Sequence, residues 1–162
     1  MATETDLGKG VSKFVKEIRS LVTGKAKDAI SETAARTGAQ LIQRRTRAGQ
    51  SVAEDGGAPY NMKRLSPSYI EFRKTQRLSP WTSPGKSNLT FQGHLLGSLD
   101  ARRVKPGRWN IILKGTHPRA GIPNSQLAKY VQKARPFMHL SGGEITQIKN
   151  AARRTFQELV KK

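Results

Sequence analysis

The chain has 162 residues, a length that fits one domain, and its 30 basic and 11 acidic side chains give a formal net charge of +19. It contains no cysteine, which excludes disulfides, thiolate metal sites and cysteine nucleophiles. No apolar stretch approaches the roughly 20 residues that cross a bilayer, and the N-terminal MATETDLGKG lacks the apolar segment of a secretory signal. We therefore expect one domain over residues 1–162 that resides or assembles in the cytosol.

Residues 10–47 are predicted to form N-terminal helices. The apolar positions of the first helix recur every three or four residues, namely Val11, Phe14, Val15, Ile18, Leu21 and Val22. A longer helix over about 26–47 has a stripe of mainly small residues, which favours close packing: Ala26, Ala29, Ile30, Thr33, Ala34, Thr37 and Leu41. Its end carries Arg44, Arg45 and Arg47, and cations are favourable at a helix C-terminus.

Residues 48–88 are predicted to be loops around one short helix. The segment 48–61 is rich in turn residues, and 79–88 contains two of the eight prolines. Between them, Ser66 and Pro67 have the residue types of an N-cap and a first helical position. The sequence SPSYIEFRKTQ is therefore expected to begin a helix at this point.

Residues 89–140 combine a predicted hairpin with a basic segment. A short helix or turn leads to Leu99, and residues 99–114 are expected to form a β-hairpin around a Pro106-Gly107 turn, because the residues after the turn alternate as in a strand. A loop follows at 115–126, and LAKYVQK is expected to form one or two helical turns. The segment ARPFMHL is predicted to be extended, with Pro136 confining it to a sheet edge.

The C-terminal helix, at 141–160, has the clearest signature in the chain. Ser141 and Glu144 have the spacing of a capping box, and apolar residues at helical spacing follow them. This stripe and two upstream aromatic residues are expected in the core or at an oligomer interface: Trp109, Phe137, Ile145, Ile148, Phe156 and Leu159.

Positive charge is concentrated in the second half of the chain. Residues 101–140 carry nine basic and no acidic side chains. Such a surface attracts nucleic acid or an acidic protein, although a solvated face that maintains solubility would have the same composition. The candidate DNA-facing or partner-facing residues lie on and just after the hairpin: Arg102, Arg103, Lys105, Arg108 and Lys114.

No catalytic constellation is present in the sequence. The three histidines, His94, His117 and His139, lack the spacing of a metal motif, and neither GxxxxGK[ST] nor GxGxxG occurs. The adjacent Glu54 and Asp55 lie in a glycine-rich loop without further acids. We predict no catalytic residue, no metal site and no cofactor, and the chain is not expected to be an enzyme.

Three passages resemble the small neck and tail-completion proteins of tailed bacteriophages, a group that includes virion-morphogenesis and minor tail components. They are LSPSYIEFRK (65–74), LTFQGHLLGSLDARRV (89–104) and KARPFMHLSGGEITQIKNAARRTFQEL (133–159). The most distinctive feature is the ARPF turn followed by a capped helix. The chain departs from the family at 90–93, TFQG, where Asp-Thr-Gly or Glu-Thr-Gly is common. Neck, head-closure and tail-terminator roles therefore remain alternatives.

The resemblance implies an α+β subunit in which a small antiparallel sheet is packed by helices. Such subunits form a six- or twelve-fold homo-oligomeric ring at the head-to-tail junction of the virion, after assembly in the host cytoplasm. The implied partners are head-side adaptor or head-closure proteins, tail-terminator or tail-tube proteins and packaged double-stranded DNA, with no membrane. The basic side chains would touch phosphates without recognising sequence.

Another class of protein has the same charge. A stand-alone, sequence-nonspecific nucleic-acid-binding protein would also carry a net charge of +19. A small nuclease, by contrast, would need a cluster of carboxylates that this sequence lacks. Oligomeric size separates the first two hypotheses, because a ring subunit forms large assemblies with itself or with partner proteins.

Overall fold

The computed structural model describes residues 24–89 and 92–161; the first predicted helix, at 11–22, lies outside these residues. The described residues contain five helices and two two-stranded antiparallel sheets, so the predicted α+β fold is confirmed. In chain order the elements are α1 (Gly24–Arg47), β1 (Gln50–Ser51), β2 (Tyr60–Asn61), α2 (Pro67–Lys74), α3 (His94–Gly97), β3 (Leu99–Lys105), β4 (Arg108–Leu113), α4 (Asn124–Ala134) and α5 (Gly142–Val160).

Helix α1 is the central element, because it packs against α5 and against both strands of the β3–β4 hairpin. Gly38 lies at this junction: a Cβ atom added there would be 2.8 Å from Cδ1 of Ile111 and 3.4 Å from Cδ1 of Ile148. The small residues of α1 thus allow the close packing that the sequence predicts. The predicted face was only partly right, since Ile30 and Ala34 are buried but Ala26 and Ala29 are only partly so. The buried face is wider than predicted, because α1 is covered on two sides. It also includes Ala35, Gly38, Ala39 and Ile42.

The hydrophobic core lies where α1, α3, the hairpin and α5 meet. Leu96, Phe137 and Ile42 are each 0% exposed, and Ile148 of α5 is 2% exposed. The core cluster also includes Ala34, Met62, Leu95, Leu99, Ala128 and Leu140. The short α3 therefore contributes two of its four residues to the core, which explains why a single helical turn is held in place.

The β3–β4 hairpin has the predicted position. Leu99 pairs with Leu113 and Ala101 with Ile111, and Gly107 in the turn has a φ of +71°, a conformation that glycine adopts without strain. A bulge interrupts the register between Arg103 and Lys105. Because side chains alternate along a strand, Leu99, Ala101 and Arg103 share the face towards α1, and Asp100 and Arg102 lie on the other.

The segment 134–140 corrects a prediction, because it forms no strand. Side chains satisfy its backbone instead: Oε1 of Gln132 accepts from the amides of Phe137 (2.9 Å) and Met138 (3.1 Å). The Phe137 carbonyl in turn accepts a hydrogen bond from Arg45 Nη2 at 2.6 Å. The segment is therefore an ordered connection that places Phe137 in the core without needing a strand partner.

The capping box of α5 is confirmed, and it is joined to a buried ion pair. Ser141 Oγ accepts from the Glu144 amide at 3.2 Å, and Oε2 of Glu144 accepts from the Ser141 amide at 2.9 Å. The same Oε2 lies 2.5 Å from Nη1 of Arg45, and the two side chains are only 9% and 4% exposed. Burial lowers the pKa of Arg45, and the charge of Glu144 opposes that shift. Arg45 thus connects α1, the 134–140 segment and α5.

Replacing Glu144 by Ala is expected to lower the free energy of unfolding by about 3–5 kcal/mol, because Arg45 would stay buried without its counter-charge. Urea denaturation measures this change. Glu32→Ala is the matched control, since the Glu32–Arg36 pair is solvent-accessible and contributes only about 0.3–0.5 kcal/mol. Equal denaturation midpoints for the two variants would contradict the role of the buried pair.

Candidate nucleic-acid or partner interface

The five basic residues predicted for the interface are all exposed, but they do not share one face. Arg103 lies on the face of β3 that turns towards α1, and Arg102 lies on the opposite face. Lys105 and Arg108 flank the Pro106-Gly107 turn, and Lys114 follows the end of β4. Basic side chains therefore lie on both faces of the hairpin, at its turn and after its last strand.

Asp28 of α1 fixes the tip of the hairpin. Its Oδ1 accepts hydrogen bonds from Arg103 Nε (3.0 Å), the Gly107 amide (3.0 Å) and Trp109 Nε1 (3.1 Å). Ser31, one turn along α1, donates from Oγ to the Gly107 carbonyl at 2.9 Å. The hydrogen bond from the Gly107 amide, followed by those from Trp109 and Arg103, holds the pKa of Asp28 below its ordinary value of 3.8. Both the amide and the carbonyl of Gly107 in the turn are thus hydrogen-bonded to side chains of α1.

Asp100 provides a second carboxylate beside the basic segment. It forms an ion pair with Lys114, and the hydrogen bonds from Lys114 and from the Ala101 amide lower the pKa of Asp100. Two of the five predicted cations, Arg103 and Lys114, therefore contact carboxylates from outside the 101–140 stretch. The predicted basic side chains are exposed, but two of them are paired with carboxylates, so the surface is less positive than the sequence indicates.

The residues predicted for the core or an oligomer interface separate into three groups. Phe137 and Ile148 are fully buried. Trp109, Ile145 and Phe156 are partly buried. Leu159 is 39% exposed, and the neighbouring Val160 is 67% exposed. The first turns of α5 hence pack in the core, while its last turn presents apolar side chains on the surface of the described region.

The described residues include no group of three or more His, Asp or Glu side chains that could hold a metal ion. His94 and His117 do come together, with ring centroids 5.6 Å apart and planes at 88°. Among the residues covered, no helix is long and apolar enough to cross a membrane.

Sequence analysis missed Asp28 and Trp81. Trp81 is 56% exposed, and the guanidinium of Arg47 lies 4.7 Å from its ring centroid. No local pattern could identify Asp28, because its partners are 75 to 81 residues away in the chain. An isolated tryptophan in a loop with two prolines was the only signal for Trp81.

Comparisons with known proteins found no relative of this chain. No protein-family model, no curated protein and no solved structure matches this chain.

Replacing Asp28 by Asn is expected to lower the urea denaturation midpoint at neutral pH, because a neutral oxygen binds Arg103 less strongly. The folded pKa of Asp28 lies below 3.8, so its carboxylate stabilises the fold above about pH 4 and loses that effect as the pH falls through the folded pKa. The difference between wild type and variant should therefore shrink on acidification. Glu54→Gln, in an exposed loop, is the control, and an Asp28 effect that is independent of pH would contradict the assignment.

Proposed function

We propose that the chain is a structural subunit of the head-to-tail connector of a tailed bacteriophage. In this role it is a component of the virion and not an enzyme. Copies of the chain form a six- or twelve-fold ring that joins or seals the head–tail junction around the DNA channel. Its neighbours are a head-side adaptor or head-closure protein and a tail-terminator or tail-tube protein.

The resemblance to neck and tail-completion proteins supports this proposal through the residues that carry it. The passage 89–104 supplies Leu95, Leu96 and Leu99 to the core, and the passage 133–159 supplies Phe137 and Ile148. Two proteins with the same fold need similar residues in the core and at helix caps, whereas their exposed residues can differ. The matching residues therefore have structural roles in this chain.

The observation that carries the proposal is the basic hairpin attached to α1. Arg102, Lys105 and Arg108 are exposed around a turn whose backbone is held by Asp28 and Ser31. The attached turn presents these cations from a fixed backbone, and exposed cations contact the phosphates of a duplex without recognising its sequence. Such contacts suit a channel through which any DNA sequence passes.

Exposed apolar side chains on the hairpin and on helices α4 and α5 support an oligomeric subunit. Val104 is 55% exposed, Tyr130 58% and Val160 67%. Burial of such side chains between subunits would offset the self-repulsion that a net charge of +19 imposes on an isolated chain.

Replacing Arg102, Arg103 and Arg108 by Gln is expected to leave the fold outside the hairpin tip intact and to yield particles that lose DNA or lack tails. The assay is complementation of a phage that lacks this gene, with particles counted by electron microscopy. The matched control is Lys149→Gln, Arg153→Gln and Arg154→Gln, which removes the same charge from exposed positions on α5.

A second variant separates the effect of lost charge from the effect of altered hairpin geometry. Arg103 anchors the hairpin to Asp28, so its loss alters hairpin geometry as well as charge. Arg102→Gln with Lys105→Gln removes charge and keeps that anchor, and it should reproduce part of the defect. Fully DNA-filled, tailed particles from both hairpin variants would overturn the proposal.

The net charge of +19 also favours the alternative of a stand-alone, sequence-nonspecific nucleic-acid-binding protein. Size-exclusion chromatography with light scattering distinguishes the two. A ring subunit should elute at six or twelve times the 17.9 kDa mass of the chain, or in a still larger complex when its partner proteins are needed for assembly. The alternative predicts a small species that binds duplex DNA with a steep salt dependence, whose slope falls by about 0.9 for each lost phosphate contact.

A further inference from the structure

A groove separate from the hairpin tip lies between the loop at 79–81, the segment 92–98 and the connection that follows β4. Its volume of about 630 Å³ is within the range of sites for small organic groups. Arg47 and Lys114 lie among its lining residues, none of the described lining residues is acidic, and Lys114 is paired with Asp100 from outside the lining. The groove is therefore cationic and large enough for a nucleobase with its sugar and phosphate.

Trp81 provides an aromatic surface in this groove. It is 56% exposed, and Cζ of Arg47 lies 4.7 Å from the centroid of its ring. A guanidinium covers only one face of an indole, so this exposure leaves ring surface on which a planar group can stack. Burying that surface would be favourable for an aromatic ligand.

Asn88 holds Trp81 and Arg47 in this arrangement. It is 0% exposed, and its Nδ2 donates to the carbonyls of Trp81 (2.9 Å) and Arg47 (3.0 Å). Its Oδ1 accepts from Thr82 Oγ1 at 2.8 Å. Because the tryptophan backbone is already fixed, a ligand that stacks on the ring incurs little cost for ordering the loop.

Asn124 fixes the wall of the groove beside Lys114. It is 4% exposed, and its Nδ2 donates to the Lys114 carbonyl at 2.7 Å. Oδ1 of Asn124 and Nε of Arg47 are enclosed by protein and have no hydrogen-bond partner among the described residues. Because a ligand in the groove does not reach enclosed atoms, the groove offers a nucleotide its cations and the indole of Trp81.

We propose that this groove binds single-stranded nucleic acid, with one base stacked on Trp81 and its phosphate near Arg47 and Lys114. An acidic peptide would use the two cations but would leave the exposed indole uncovered, so the aromatic surface favours a base. This site is independent of the phosphate contacts proposed for the hairpin, and it operates in either a ring subunit or a stand-alone protein.

The test measures binding of the full-length chain to fluorescent oligothymidylate, to an abasic strand of equal length and to duplex DNA, by fluorescence anisotropy. The wild-type chain should bind the thymidylate strand about five- to a hundredfold more tightly than the abasic strand. Trp81→Ala should abolish that difference, and Trp81→Phe should retain most of it. Trp81→Ala should leave duplex binding and the thermal melting temperature unchanged, because the side chain is exposed.

Arg47→Gln and Arg44→Gln form a matched pair on α1, since Arg47 stacks on Trp81 and Arg44 does not line this groove. Arg47→Gln should weaken thymidylate binding more than Arg44→Gln does, because only Arg47 lies beside the stacked base and its phosphate. Equal wild-type affinities for those two strands would overturn the proposal, as would equal losses of single-strand and duplex binding in Trp81→Ala.

Two other ligands are tested in the same assay. A mononucleotide that binds as tightly as the strand would assign the groove to free nucleotides and overturn the single-strand proposal. A polyglutamate peptide whose binding depends on Trp81, together with thymidylate binding that does not, would assign the groove to an acidic protein instead. Neither outcome depends on whether the chain forms a ring, so this test and that of the connector proposal can fail separately.

Discussion

The fold depends on the buried ion pair between Arg45 and Glu144. Removing two charges from water carries a large desolvation penalty, and the attraction of the pair offsets it only when further hydrogen bonds satisfy both groups. Here Glu144 also accepts from the Ser141 amide, and Arg45 also donates to the Phe137 carbonyl, which leaves only Nε of Arg45 without a partner among the described residues. The pair therefore forms only when α1, the connection before α5 and the first turn of α5 are all in place. One interaction thus links helix α1 to the C-terminal helix α5.

Helix α1 connects that interaction to both proposed binding surfaces. Near its start Asp28 holds the hairpin turn, and at its middle Gly38 allows Ile111 and Ile148 to approach. In its last turn Arg45 binds Glu144 and Arg47 stacks on Trp81. A displacement of α1 would consequently disturb the basic hairpin and the aromatic groove together, although the two surfaces are proposed to bind different features of a nucleic acid.

The two surfaces also use positive charge differently. At the hairpin the cations surround a turn and are partly balanced by Asp28 and Asp100, which orients them without burying them. In the groove, by contrast, Arg47 stands beside the exposed indole of Trp81. Phosphate contacts alone attract any polyanion, whereas a stacking surface favours unpaired bases.

The sequence by itself determined the elements whose signals are local. Ser66-Pro67, Pro106-Gly107 and the Ser141–Glu144 spacing each act on backbone within four residues, so α2, the β3–β4 hairpin and α5 were predicted in the right places. The tertiary structure alone decided which distant groups meet. Arg45 and Glu144 are 99 residues apart, and the hydrogen bond from Arg45 to the carbonyl of Phe137, which helps to hold the connection before α5, spans 92 residues. Local periodicity encodes how the backbone turns and which face is apolar, but the partner of a buried charge is set by packing in three dimensions.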